Sequence, residues 1–337
     1  MQNTEHLFAA KQVSFSEIPQ IDVGALLGND AAAKRAVARE IYDACSRVGF
    51  FYIHNHGVPK EVVDNMFAAI RAFFALPHAE KMEITADNSL QHRGYVTFNL
   101  EHVDPNSGKD LHEALDFGRE LPPGMTLNTK TRSLYGPNQW PRQLPTFKPA
   151  VNAYYEAMLA LGNRLLRGFA LSLELEEEFF LDKFNHAAGW LRTLHYPPQH
   201  RIEADKRIGQ GAHTDYECFT MLAQDDNNAL QVQNLEGEWI KAPPIDGTFV
   251  INIADLMARW SNDIFRSTMH RVINFSGRDR YSIPFFLGPN ADTEVTCLPT
   301  CVRDGALPKY GPVKASDWIL QRVLDSRKDL LEKEMAP

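Results

Sequence analysis

The chain has 337 residues, 44% hydrophobic and 23% charged, which is ample for a buried core and ordinary for a soluble enzyme. Its 35 basic and 43 acidic side chains give a net charge of -8 with no basic block, which argues against a general nucleic-acid binder and favours small-molecule chemistry. The first thirty residues hold Pro19 and no apolar stretch of signal-peptide length, and no run approaches a membrane span, so a cytoplasmic protein without a membrane partner is expected.

In chain order, the pattern from Asp30 to Ser46 predicts a helix that opens on a capping aspartate and ends before Gly49. GFFYIHNHGVP then reads as a short apolar strand running into a turn, and a second helix is expected from about Lys60 to Leu76, where Pro77 stops it. Residues 86–140 are rich in Asn, Gly, Pro and charge, so long loops over or near a site are expected there. A long amphipathic helix follows over about 146–175. Beyond Gly189 the character changes to short β-like runs, WLRTLHYPP, FTMLAQD, ALQVQNL, TFVINIAD, MHRVINFSG and RYSIPFFLG, which suit a barrel or jelly roll. A last helix, about 315–333, carries mixed charge and is expected to pack on the outside. The chain thus divides into a helical and loop region (1–140), a connecting helix (141–188), a β domain (189–290) and a carboxy-terminal extension with its helix (291–337).

Chemistry concentrates in the β-rich part. His213 and Asp215 stand at i and i+2, so in an extended strand both project from one face and can share a metal. His270 closes a triad of two imidazoles and one carboxylate. Such a set leaves three adjacent octahedral positions open, which suits ferrous iron that binds a chelating cosubstrate and dioxygen together. Ten residues on, Arg280 offers a fixed fork to a carboxylate and Ser282, on the same strand face, a hydroxyl for the same group. All five side chains are expected on consecutive strands, brought to the mouth of one barrel.

Other histidines fit blander roles. His54 and His56 also stand two apart, but Gly57 and Pro59 mark a turn and no carboxylate lies at ligand spacing. His112 is a poor ligand candidate, and His195 alternates away from Tyr196. In that strand Arg192, Leu194 and Tyr196 share a face. If it lines the interior, Tyr196 reaches the cosubstrate and Arg192 meets an acidic substrate or a rim salt bridge. Phe285 and Phe286 straddle the strand after Ser282, and Phe285 is taken as the pocket residue. The four cysteines, Cys45, Cys218, Cys297 and Cys301, do not form a disulfide framework and read as small buried hydrophobes.

The motifs together resemble a known family, the isopenicillin N synthase-like branch of the iron(II)/2-oxoglutarate-dependent dioxygenases. IPQIDVGAL, GFFYIHNHGVP, RAFFALPHAEK and RGYV resemble its amino-terminal region; LRTLHYPP, HTDYECFTMLAQDD, ALQV, VINIAD, HRVIN and RYSIPFF follow in family order. The resemblance implies an α+β fold, a double-stranded β-helix (jelly-roll) core flanked by helices behind a helical amino-terminal region. It also implies iron on His213, Asp215 and His270, and the distal carboxylate of 2-oxoglutarate on Arg280 and Ser282 with Tyr196 nearby. The implied reaction is dioxygen-dependent oxidation, foremost hydroxylation, of a small-molecule substrate, with release of succinate and carbon dioxide and with ascorbate as an accessory reductant. An iron oxidase or oxidative cyclase that does not use 2-oxoglutarate stays open from the same branch, as does, more remotely, a non-catalytic ligand-binding protein. The chain departs from plant members at Leu194-His195-Tyr196-Pro197, at Asn228-Ala229-Leu230-Gln231, and at Glu217 and Cys218, which stand where small residues are common.

Overall fold

The computed structural model describes residues 17–104, 107–120, 134–200, 207–302 and 306–326. Strand β1 (Gln20–Asp22) leads to helix α1 (Ala31–Arg47), whose cap Asp30 accepts from the Ala32 and Ala33 amides at 2.8 and 3.1 Å. Gly49 then turns the chain at φ +75, where any Cβ would collide with the Arg266 carbonyl oxygen, and strand β2 (Phe50–His54) follows. Helices α2 (Lys60–Phe74) and α3 (His78–Met82) flank Pro77, which ends one and opens the other.

Residues 86–140 hold more regular structure than their composition predicts. Strands β3 (Gly94–Val96) and β4 (Glu113–Gly118) lie within them, and all six residues of β4 are buried. Its charged residues hid it: Glu113 is paired with Lys81 at 2.6 Å and Asp116 with Arg192 at 3.3 Å, so this buried strand has no apolar run.

Helix α4 (Phe147–Ser172) precedes the main strands β5 (Ala188–Tyr196), β6 (Gln210–His213), β7 (Phe219–Gln224), β8 (Leu230–Gln233), β9 (Trp239–Lys241) and β10 (Phe249–Ile253). Helix α5 (Asp255–Trp260), β11 (His270–Val272), β12 (Arg280–Gly288), the small pair β13 (Glu294–Val295) and β14 (Val313–Lys314), and helix α6 (Ala315–Ser326) complete the described chain. Eight strands form one sheet, in the order β1-β2-β10-β7-β12-β5-β4-β3, and four form a second, β6-β11-β8-β9; only the β1–β2 pair among them is parallel. The expected α+β double-stranded β-helix, flanked by helices, is the architecture.

Two apolar layers result from strand alternation. Ile283, Phe285 and Leu287 face one way, into the core with Leu161 and Leu165 of α4. Leu194, Tyr196, Val250, Leu230 and Val272 face the other, into the space between the sheets. Each fully buried Leu, Ile or Phe contributes about 1.5–3 kcal/mol, so these layers fix the spacing of the sheets. Helix α6 packs against the body by one face: Ile319 is buried, and Trp318 Nε1 donates to the Tyr216 carbonyl at 2.9 Å. The rest of the expected helix, 327–333, lies outside the described residues. All four cysteines are unpaired, and Cys45, Cys218 and Cys301 are buried. Among the described residues no helix is long and apolar enough to cross a membrane.

Candidate active site

His213 ends β6 and His270 begins β11, and the two residues are direct cross-strand partners in the small sheet, which brings their rings to a centroid distance of 4.2 Å. Asp215 lies two residues past β6. Its Oδ1 is 3.7 Å from His213 Nε2 and 3.6 Å from His270 Nε2, and one potential ligand atom from each of the three residues lies within 4.8 Å of the others. Both rings are held through the opposite nitrogen: His213 Nδ1 meets the Gly211 carbonyl at 2.9 Å and His270 Nδ1 the Thr268 carbonyl at 3.2 Å. That contact places the proton on Nδ1 and turns an Nε2 lone pair toward the centre. Asp215 is fixed in the same way, with Oδ2 accepting from the Thr220 hydroxyl and from Asn252 Nδ2, leaving Oδ1 to face the imidazoles.

Burial and the neighbouring His270 depress the His213 pKa, so the ring is neutral and available as a ligand. Two imidazoles and a carboxyl group, converging from one side and already oriented, fit a divalent first-row metal with open coordination positions.

Arg280 and Ser282 lie on the other sheet, in β12, so the predicted side chains are divided between two facing sheets, with Asp215 just beyond β6, instead of following consecutive strands. Arg280 is 1% exposed, lies 4.9 Å over the Tyr196 ring, and donates to Ser282 Oγ at 3.3 Å and to Gln224 Oε1 at 3.1 Å. No carboxylate pairs with it among the described residues, and its buried Nε has no hydrogen-bond partner. A buried guanidinium with only neutral partners is costly unless an anion completes it. Tyr196 donates to Gln210 Oε1 at 3.3 Å.

A single cavity of about 740 Å³ joins these groups; the triad, Arg280, Ser282 and Tyr196 all line it. Leu194, Leu222 and Val250 supply part of its apolar wall, and Ile319 and Leu320 of α6 also line it. Arg192 reaches the cavity but arrives paired, at 2.6 Å from Glu101 Oε1 and 3.3 Å from Asp116 Oδ1. Burial opposes the Glu101 charge, yet Arg192 and His112 hold this carboxyl well below the usual range. The expectation of Arg192 as counter-ion to an acidic substrate therefore meets a guanidinium already neutralised by carboxylates.

Phe285 is a correction. It is fully buried against Tyr155, at a centroid distance of 5.0 Å, and Phe286 lines the cavity in its place. Strand parity explains it: Arg280, Ser282, Pro284 and Phe286 alternate onto one face, and all four line the cavity. Glu217 is another lining residue, whose carboxyl pKa is pushed up to about 8 by burial and the Asp215 charge.

Thr220, Asn252, Gln210 and Gln224 were missed as functional positions. Thr220, Gln224 and Asn252 are polar residues inside runs quoted for their apolar neighbours, and each points inward by period two, whereas Gln210 lies outside those runs. His195 faces away from the cavity, stacked on Tyr281 at 4.9 Å between Glu113 and Asp279. His112 is buried between the Gly209 carbonyl and Glu101, and His56 bonds the Val58 amide and the Gly247 carbonyl, a turn role.

Comparison with known proteins follows the same division of the chain. Residues 18–143 match the model described as non-haem dioxygenase in morphine synthesis N-terminal, and residues 187–289 match the 2OG-Fe(II) oxygenase superfamily. The chain is 37% identical over 325 residues to the 2-oxoglutarate-Fe(II) type oxidoreductase hxnY of Emericella nidulans, covering 94% of this chain and 93% of that one. It is 38% identical over 306 residues to the homoarginine-6-hydroxylase 2-ODD-C23 of Glycine max, covering 85% and 89%. A full-length Neurospora crassa protein, crystallised in complex with alpha-KG and thymine, superposes with a TM-score of 0.80 at 29% identity, over 91% of this chain and 96% of that one.

Proposed function

The chain belongs to the 2OG-Fe(II) oxygenase superfamily, and from that premise we propose that His213, Asp215 and His270 hold the iron while Arg280, Ser282 and Tyr196 hold the distal carboxylate of 2-oxoglutarate. The protein is a non-haem iron(II)- and 2-oxoglutarate-dependent dioxygenase acting on a small organic molecule. The observation that carries the residue assignment is Arg280: a buried guanidinium without a counter-ion among the described residues, in the same cavity as an oriented His-Asp-His set. We place the chain in the isopenicillin N synthase-like branch on its motif order, and take hydroxylation as the reaction, as in the homoarginine-6-hydroxylase relatives. Four unpaired cysteines suit a cytoplasmic location.

Iron(II), when bound, supplies dioxygen activation, with 2-oxoglutarate as the two-electron reductant leaving as succinate and carbon dioxide. The protein's own part is placement. Arg280 and Ser282 fix one end of the cosubstrate from the large sheet, and the triad fixes the metal from the small one. The Gly211 and Thr268 carbonyls hold the protons on the Nδ1 atoms, so both imidazoles keep Nε2 free. Thr220 and Asn252 occupy Asp215 Oδ2, which confines this carboxylate to one oxygen at the centre. Leu194, Leu222 and Val250 exclude water from the wall between the two anchors.

The test is anaerobic titration of the ferrous protein with 2-oxoglutarate, following the visible metal-to-ligand charge-transfer band, with Asp215→Ala as control. A saturable band that the variant lacks is expected. Iron binding without any band moves the assignment to an oxidase that does not use 2-oxoglutarate.

A further inference from the structure

Once the triad is assigned to the metal and Arg280 to the cosubstrate, the remaining charges of the cavity do not balance. Arg192 is neutralised by Glu101 and Asp116. Glu217 is a further lining group, and no side chain among the described residues pairs with its carboxyl. It enters the cavity over Gly288, where an added Cβ would lie 3.3 Å from Glu217 Cγ. Gly288 follows Phe286 on the same face of β12, about 7 Å along the strand. Phe286 is the direct cross-strand partner of Trp190, and both rings line the cavity, as does Tyr216. One end of the pocket thus presents a carboxyl group beside two adjacent aromatic side chains, with no cation paired to it among the described residues. An organic cation is the group that such a site stabilises twice, by charge-assisted hydrogen bonds and by the negative faces of the rings.

We propose that Glu217 is the specificity-determining residue of this pocket and pairs with a protonated amine or guanidinium on the substrate, flanked by Trp190 and Phe286. The inference rests on the assignment of Arg280 to 2-oxoglutarate, since an Arg280 free for substrate would supply the missing counter-charge. It reverses the expectation drawn from Arg192, because an acidic substrate would meet Glu217 with no compensating cation.

The experiment uses the ferrous protein saturated with 2-oxoglutarate under argon. Binding is read by calorimetry and by the change in the charge-transfer band for matched pairs of which one member is a cation and the other carries no charge: n-butylguanidine against n-butylurea, and 4-phenylbutylamine against 4-phenylbutanol. The cationic member of at least one pair is expected to bind roughly 10- to 100-fold more tightly than its neutral partner, and Glu217→Gln to remove that preference. Equal or weaker affinity for the cationic member of every pair, including no binding by any, overturns the proposal, as does a preference that survives in Glu217→Gln. The band with 2-oxoglutarate alone separates the two layers: its presence in both proteins confines a failure to Glu217, and its absence from the wild type removes the reading beneath.

Discussion

Replacing Arg280 by Met keeps most of the side-chain stem and removes the guanidinium. In the ligand-free protein that group is 1% exposed and has two neutral hydrogen bonds, at 3.3 Å to Ser282 and 3.1 Å to Gln224. Each returns about 1 kcal/mol, whereas burying an unpaired charge costs several, so the substitution should leave the ligand-free melting temperature unchanged or raise it. With 2-oxoglutarate the sign reverses. A carboxylate brought to a buried site whose partner has been deleted loses about 3–5 kcal/mol, on the order of 10²- to 10⁴-fold in affinity. Differential scanning calorimetry with and without cosubstrate reads both effects. At a concentration about 100 times the dissociation constant, the wild type gains about 2.7 kcal/mol of ligand-linked stability, which the variant should lack. A variant that keeps the ligand-induced shift refutes the anchor. One that melts far below wild type without ligand refutes the claim that Arg280 is an uncompensated charge.

Thr220→Val removes one of the two donors on Asp215 Oδ2 and should weaken iron by roughly 10- to 100-fold in a chelator competition while the fold persists. Unchanged iron affinity would show that the remaining Asn252 bond suffices. For the Phe285 and Phe286 pair, Phe285→Ala should cost about 3–5 kcal/mol in denaturant unfolding, and Phe286→Ala much less, with its effect falling on substrate KM. Equal stability losses would contradict the division of the two faces of β12. His195 gives a pH test. Burial lowers its pKa, but the carboxylates of Glu113 and Asp279, each 2.7 Å from a ring nitrogen, raise it more, and the net shift is upward. A raised folded value means that the stabilisation is full below the unfolded pKa of about 6.5 and is lost as pH climbs through the folded one. The melting-temperature gap between wild type and His195→Gln should therefore narrow as pH rises above about 6.5. A gap independent of pH would show that His195 acts only by packing.

Much of the site is local information. His213 and Asp215 are two apart, as are Arg280 and Ser282, and period two alone puts each pair on one face of its strand. The same rule, applied from Ser282, gives Phe286 and not Phe285, so that error was one of use and not of signal. Other features depend on contacts between distant segments. The partners of Arg192 come from Glu101, 91 residues away, and from the neighbouring strand β4, whose buried acids made it resemble a loop. The division of metal and anion sites between two sheets is set by strand order, which periodicity does not encode. The contact of α6 with the cavity rests on Trp318 meeting a carbonyl 102 residues earlier.

Cys218 sits three residues beyond Asp215, within the same short segment as the metal-facing groups. A thiolate there would be the form that reactive oxygen attacks first. Its complete burial, with the charge of Glu217 beside it, holds the thiol pKa well above the usual value, so the sulfur remains S–H at neutral pH. The packing that gives the core its density thereby also leaves a protonated, enclosed sulfur, the state least open to stray oxidants.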